Sequence, residues 1–200
     1  MNRIKNGAAI LACLLVVAGI RPKGVMAEDS PSVPKLVNPS FEDRGESADR
    51  AAGWERWGHW FNREEGWTPV RTGHCILGYH HWEIPDPSDS GVFQDVHGAV
   101  KGTAYTFGIY ANLDKAKDTN QDAQTIEMRL ESTVDGKQQT LASKVYKVAD
   151  MKPDEWEKLA VTGAPTNDTL RVLVIVTPGA VDGLRGGAIR FDDAFLDAAR

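Results

Sequence analysis

From Thr125 to Ser132 the chain reads TIEMRLES, and the alternation is strict. Ile126, Met128 and Leu130 fall on one side; Glu127, Arg129 and Glu131 fall on the other. A period of two with one apolar side fits a strand between a core and solvent, and fits no helix. The pattern recurs. VDGK at 134–137 supplies an Asp-Gly hairpin turn, and QTLASKVYKV at 139–148 returns from it. SGVFQDV (90–96), AYTFGIYA (104–111), EKLAVT (157–162), LRVLVIVT (170–177) and AIRFDDAFL (188–196) read as further strands, with LVNPSFE (36–42) opening the set. Turn-rich stretches separate them, such as GAPTND at 163–168 and DKAKDTNQD at 114–122. Many short strands with such punctuation predict an all-β sandwich or jelly roll of roughly eight to ten strands.

The first 27 residues stand apart. Arg3 and Lys5 precede the apolar run GAAILACLLVVAGI at 7–20, and VMA at 25–27 leads into a polar EDS. This is the layout of a secretory signal peptide cleaved after Ala27, with an apolar run short of the roughly 20 residues of a membrane span. Residues 28–35 read as a flexible lead-in, and 36–200 as one domain large enough to bury its own core. The expected location is extracellular or periplasmic, with no membrane span after cleavage. Cleavage takes four of the 23 basic residues and none of the 28 acidic ones, so the net charge of −5 becomes more negative. An acidic exported domain is poorly suited to nucleic acid or anionic membranes. Cys13 leaves with the signal and Cys75 stands alone, which excludes an internal disulfide. A buried structural thiol is the expected role of Cys75.

The chemistry-bearing part is GWERWGHWFNREEGW, from Gly53 to Trp67, which holds four of the six tryptophans. Tyr79 and Trp82 follow. Indole faces stack on the C–H-rich faces of sugar rings while neighbouring polar groups bind hydroxyls, the usual make-up of a small-ligand site. Trp57, Trp60, Trp67, Tyr79 and Trp82 are the candidate platform, with Arg56, His80, His81 and Glu83 as hydrogen-bonding partners. In a regular strand Trp57 and Trp60 face opposite ways, so both reach one ligand only if the strand breaks. The histidines at 59, 74, 80 and 81 with Cys75 match no zinc spacing. Glu64, Glu65, Glu83 and Asp86 could supply paired carboxylates for glycoside cleavage, yet no nucleophile or metalloprotease signature accompanies them. The expectation is a non-enzyme.

Three pieces taken together resemble a known family. LVNPSFE near the start, VFQDVHGAVKGTAYTFGIYA in the middle and AIRFDDAFL at the end resemble, in order and spacing, carbohydrate-binding modules of the cellulose/xylan-binding type. These are β-sandwiches of the galactose-binding-domain-like superfamily, and the resemblance covers most of 36–197. It implies a jelly-roll β-sandwich that binds polysaccharide without catalysis. It implies a structural Ca²⁺ held by Glu42 and by Asp192 or Asp193, a clasp between the chain's ends. It assigns Trp54 and Trp156 to the framework. The stretch between Arg71 and Gly91 departs from the family pattern, so ligand contacts transfer least. The alternative functions are a protein-binding or scaffold sandwich of an extracytoplasmic envelope assembly, and a polysaccharide-active enzyme.

Overall fold

A computed structural model of the chain describes residues 33–58, 60–81, 88–114, 124–178 and 187–199. Ten strands are present among them, joined by turns and by a single 3-10 turn at Val148–Asp150. They are β1 (Glu55–Trp57), β2 (Phe61–Glu65), β3 (Cys75–His81), β4 (Ser90–His97), β5 (Tyr105–Leu113), β6 (Thr125–Val134), β7 (Lys137–Lys147), β8 (Trp156–Gly163), β9 (Thr169–Thr177) and β10 (Gly187–Ala198). The first sheet runs β1-β4-β9-β6-β7 and the second β2-β3-β10-β5-β8, every pairing antiparallel. The expected all-β sandwich is what the chain forms.

The alternation read in the sequence sets the inner faces. Ile126, Met128 and Leu130 of β6 meet Val172, Val174 and Val176 of β9 in the first sheet's half of the core. Phe107, Ile109 and Ala111 of β5, with Ile189 and Phe191 of β10 and Leu77 and Tyr79 of β3, supply the other half. The Asp-Gly hairpin forms as expected, with Asp135 and Gly136 at φ 51° and 74°. Trp54 is buried and its Nε1 donates to the Asn38 carbonyl at 3.1 Å, which makes it framework.

The opening stretch 36–42 is not a strand. Asn38 and Phe41 have φ of 48° and 60°, and the segment turns back on itself through Phe41 N–H to the Asn38 carbonyl. Gln94 on β4 anchors it instead, accepting from Val37 N–H at 2.7 Å and donating to the Val37 and Gly53 carbonyls. The closing strand β10 carries a bulge between Asp192 and Phe195. Asp193 sits at φ 48° there, so the two aspartates do not simply alternate across a flat strand.

Edge strand β8 is stoppered from the other sheet. The Tyr146 hydroxyl of β7 accepts from Ala160 N–H and donates to the Ala160 carbonyl, each at 2.8 Å.

On the outer side of the first sheet, Arg171 grips Asp95 with two bonds of 2.6 and 2.7 Å and lies over the Phe93 ring. Arg129 holds Glu127 at 2.7 and 2.8 Å. The Arg171 and Arg129 hydrogen bonds keep Asp95 and Glu127 below the usual carboxylate range. A carboxyl lowered by folding adds stability above its unfolded pKa and loses it as pH falls through the folded one. Asp192 has the opposite sign: burial pushes it up, so its contribution improves on acidification. Glu42 and Asp49 are lowered as well, so with four lowered carboxyls against one raised the melting temperature is expected to drop once pH falls below about 4. A melting profile flat or rising down to about pH 2 would show the buried aspartate dominating instead.

Candidate functional site

The outer face of the second sheet gathers the polar and aromatic groups. Leu77 and Tyr79 of β3 point into the core, so Gly78 and His80 lie on the outer face. Ile189 and Phe191 point inward, which leaves Arg190 outward; Ala111 and Leu113 do the same for Asn112. The register then places Asn62, Gly78, Arg190, Asn112 and Trp156 in one row across β2, β3, β10, β5 and β8. Directly opposed residues share a face.

Trp67 follows β2 and folds back over this row. Its ring lies against Gly78, where an added Cβ would collide with both the indole and the Glu64 carboxylate. The guanidinium carbon of Arg190 is 4.4 Å from the Trp67 ring centroid, and the His80 ring stacks on the indole at 4.3 Å and 27°. His80 Nε2 pairs with Glu64. Trp67 is half-buried, and so is Trp156 at the other end of the row. Between the two indoles Arg190 donates Nη1 to Asn112 Oδ1 at 2.9 Å and Nη2 to Asp114 at 2.7 Å. Further along the face, Arg71 lies over Tyr110 at 3.6 Å and Lys158 over Phe195 at 4.3 Å.

The expected platform is therefore divided. Trp67 and His80 come together here. Tyr79 does not join them: it is fully buried, its ring edge-on to Phe61 at 5.2 Å, because it sits one residue out of phase with His80. Trp57 lies on the outer face of the opposite sheet, over Gly91 and 6.2 Å from Phe93. Gly58, at φ 73°, breaks the chain after β1 and sends it to β2 in the other sheet. The strand does break between Trp57 and Trp60, and the break takes them to different sheets. Trp60 packs partly buried against the core. Arg56 is committed to framework contacts, with Asn62 Oδ1 at 2.6 Å, Asp49 at 2.7 Å and the Phe61 carbonyl. His81 ends β3, its side chain outside the described residues, as are Trp82, Glu83 and His59.

Sequence reading missed Arg190, Asn112 and Trp156 as site residues. Asn112 carried a signal: an amide side chain in the middle of a β-rich run, between Ala111 and Leu113, is disfavoured in strands.

The acidic trio assigned to calcium behaves differently. Glu42 Oε1 accepts the amides of His74 and Cys75 at 3.0 Å each; burial raises its carboxyl, but those amide bonds outweigh it and leave the pKa lowered. Asp192 Oδ2 accepts the amides of Arg71 and Thr72 at 2.9 and 3.0 Å. Both ends of the chain thus grip one segment, 71–75. Asp193 is taken by the Arg71 guanidinium and the Thr72 hydroxyl. Among the described residues no three His, Cys, Asp or Glu side chains converge as a metal set; the expected site uses Glu42 and one of Asp192 and Asp193 with backbone carbonyls. Cys75 is buried as expected, against Arg63 Nη2 at 2.8 Å.

No protein-family model matches the chain, and no curated relative does. Solved structures do. A CBM61 module in complex with β-1,4-galactotriose aligns at a TM-score of 0.58 and 15% identity, covering 84% of this chain and all of its own. The CBM22-1 xylan-binding domain of Paenibacillus barcinonensis Xyn10C aligns at 0.53 and 14%, covering 86% and 98%. A cyclase from Fischerella sp. aligns at 0.61 and 15%, covering 84% and 98%. The chain shares the antiparallel β-sandwich fold of these carbohydrate-binding modules. The same fold also serves cyclases, so the residues of the site have to decide between activities.

Proposed function

We propose that this chain is an exported, non-catalytic carbohydrate-binding module that takes its glycan on the outer face of the second sheet. One observation carries the reading: two half-buried indoles, Trp67 and Trp156, stand on either side of a buried polar pair, Arg190–Asn112. Apolar ring surface with a few fixed polar groups suits a sugar, whose ring faces stack and whose hydroxyls need oriented partners. His80, held by Glu64, adds a further polar group beside Trp67. Among the described residues no helix is long and apolar enough to cross a membrane. Export rests on the signal-like segment 1–27.

The test is a titration of β-1,4-galactotriose, the ligand of one module of like fold, and xylohexaose, an oligomer of the xylan bound by another, followed by tryptophan fluorescence and calorimetry. Saturable binding is expected. If no glycan perturbs the fluorescence while a partner protein is captured and lost on Trp67→Ala, the face is a protein-docking surface. Turnover of a polysaccharide would make the chain an enzyme.

A structural calcium belongs to the same proposal, with Glu42 and Asp192 as its carboxylates. The donor set fits in part. Asp192 is fully buried, burial raises its carboxyl, and its bonds come from backbone amides rather than a cationic side chain. Hard oxygens of this kind suit Ca²⁺, which when bound would staple segment 71–75 to both ends of the chain. EDTA is expected to lower the melting temperature, because a native-state ligand stabilises by mass action. An identical melting temperature with and without chelator would remove calcium from this account.

A further inference from the structure

The floor between the two indoles holds two buried donors that no described residue satisfies. Arg190 is 4% exposed and Asn112 is fully buried. Arg190 Nη1 and Nη2 are used, on Asn112 Oδ1 and Asp114, but Nε has no acceptor. Asn112 Oδ1 is used, but Nδ2 has no acceptor. Buried polar atoms in native proteins almost always find partners, and the exceptions need a reason. Here both are N–H donors, both belong to side chains on the outer face, and they lie in adjacent strands at opposed positions. Oxygen atoms of a ligand would supply what the described residues do not.

The charge around them narrows the ligand. Asp114, Asp154 and Glu64 all act on Arg190 electrostatically, three carboxylates around one buried guanidinium. His80 faces Glu64, and the Trp67 ring covers the guanidinium from the other side. At the buried pair an anionic sugar would gain the Arg190 guanidinium, already paired with Asp114, and also feel Asp154 and Glu64 where little water screens them, while Arg71 and Lys158 lie further along the face on Tyr110 and Phe195. A neutral sugar meets no such repulsion, and its hydroxyl and ring oxygens are acceptors.

We propose that Arg190 and Asn112 are the specificity determinants of this face: their two free N–H donors hold acceptor oxygens of a neutral sugar, and the surrounding carboxylates turn uronic acids away. The inference rests on the carbohydrate-binding reading above and goes past it in naming the sugar class. Polar sites of this kind discriminate strongly, because a ligand that fails to supply the acceptor leaves the buried donors unmet.

The two neutral oligosaccharides named above and an oligogalacturonide are titrated into the full chain and into Asn112→Asp. That substitution keeps the oxygen that accepts from Arg190 and converts the free donor into an acceptor. The expected result is a parent preference for a neutral glycan over the uronide of at least about tenfold, and a loss of neutral-glycan affinity in Asn112→Asp of at least about tenfold at an unreduced melting temperature. Arg190→Lys keeps the charge and removes Nε together with the Nη bonds to Asn112 and Asp114, and at a parent-like melting temperature it reads the same loss if Asn112→Asp does not fold. Unchanged affinity in the folded variant, or a parent preference for the uronide, overturns the assignment of these two residues and leaves the carbohydrate reading standing. A parent that binds none of the three glycans overturns both.

Discussion

Trp67→Ala is expected to lower glycan affinity by at least about thirtyfold while the domain stays folded. A central aromatic anchor truncated to alanine typically costs about 2 kcal/mol or more of binding, and each 1.4 kcal/mol is about tenfold. The fold is spared because the ring lies on the outside of the sheet, half-buried, with its contacts to Gly78, His80 and Arg190 rather than to the core. Gly78→Val tests the same point without deleting the indole. A side chain at that position would run into the ring and the Glu64 carboxylate, so the indole must leave its seat. Calorimetric titration alongside thermal melting separates the two effects. Equal affinity in Trp67→Ala would mean that the ring is a cover for Arg190 and not a platform.

The second large effect lies one residue from the site. Phe191→Ala should cost about 3–5 kcal/mol, a large share of the roughly 5–15 kcal/mol that holds a domain together. Phe191 is fully buried and packs on Phe61 at 5.7 Å, with the centre of the second sheet around it. The variant is expected to melt well below the parent or to fail to accumulate. Equilibrium unfolding in urea checks it; a cost under about 1 kcal/mol would mean that the site collapses around the missing ring. Neighbouring positions on β10 thus divide the work. Phe191 serves the fold and Arg190 serves the face, because successive side chains of a strand point to opposite sides.

That division explains what could be read in advance. The strands from 90 onward announce themselves, because their apolar alternation matches a sheet with one buried side. β1, β2 and β3 do not. Indoles, charges and glycines mix there without a period, and the chain changes sheets at Gly58. Segment 36–42 carries strand-forming residues, but local turns and the Gln94 anchor override them. Of the expected platform, Trp67 and His80 meet, while Tyr79 is taken by the core through simple phase. Arg190 was invisible for the opposite reason. A polar residue between Ile189 and Phe191 looks like an ordinary solvent-facing position, and the return of Trp67 across the sheet brings an indole over it.

The Tyr146 hydroxyl has a consequence for how these molecules behave in company. Strand β8 ends the second sheet, and an open edge is a template on which a neighbouring chain can add its own strand. Ala160 lies midway along that edge, and both of its outward backbone groups are already occupied by one phenol. An incoming strand would have to displace this bond before its ladder could pass the midpoint. A single side chain from the opposite sheet thereby acts as a guard against sheet-to-sheet polymerisation.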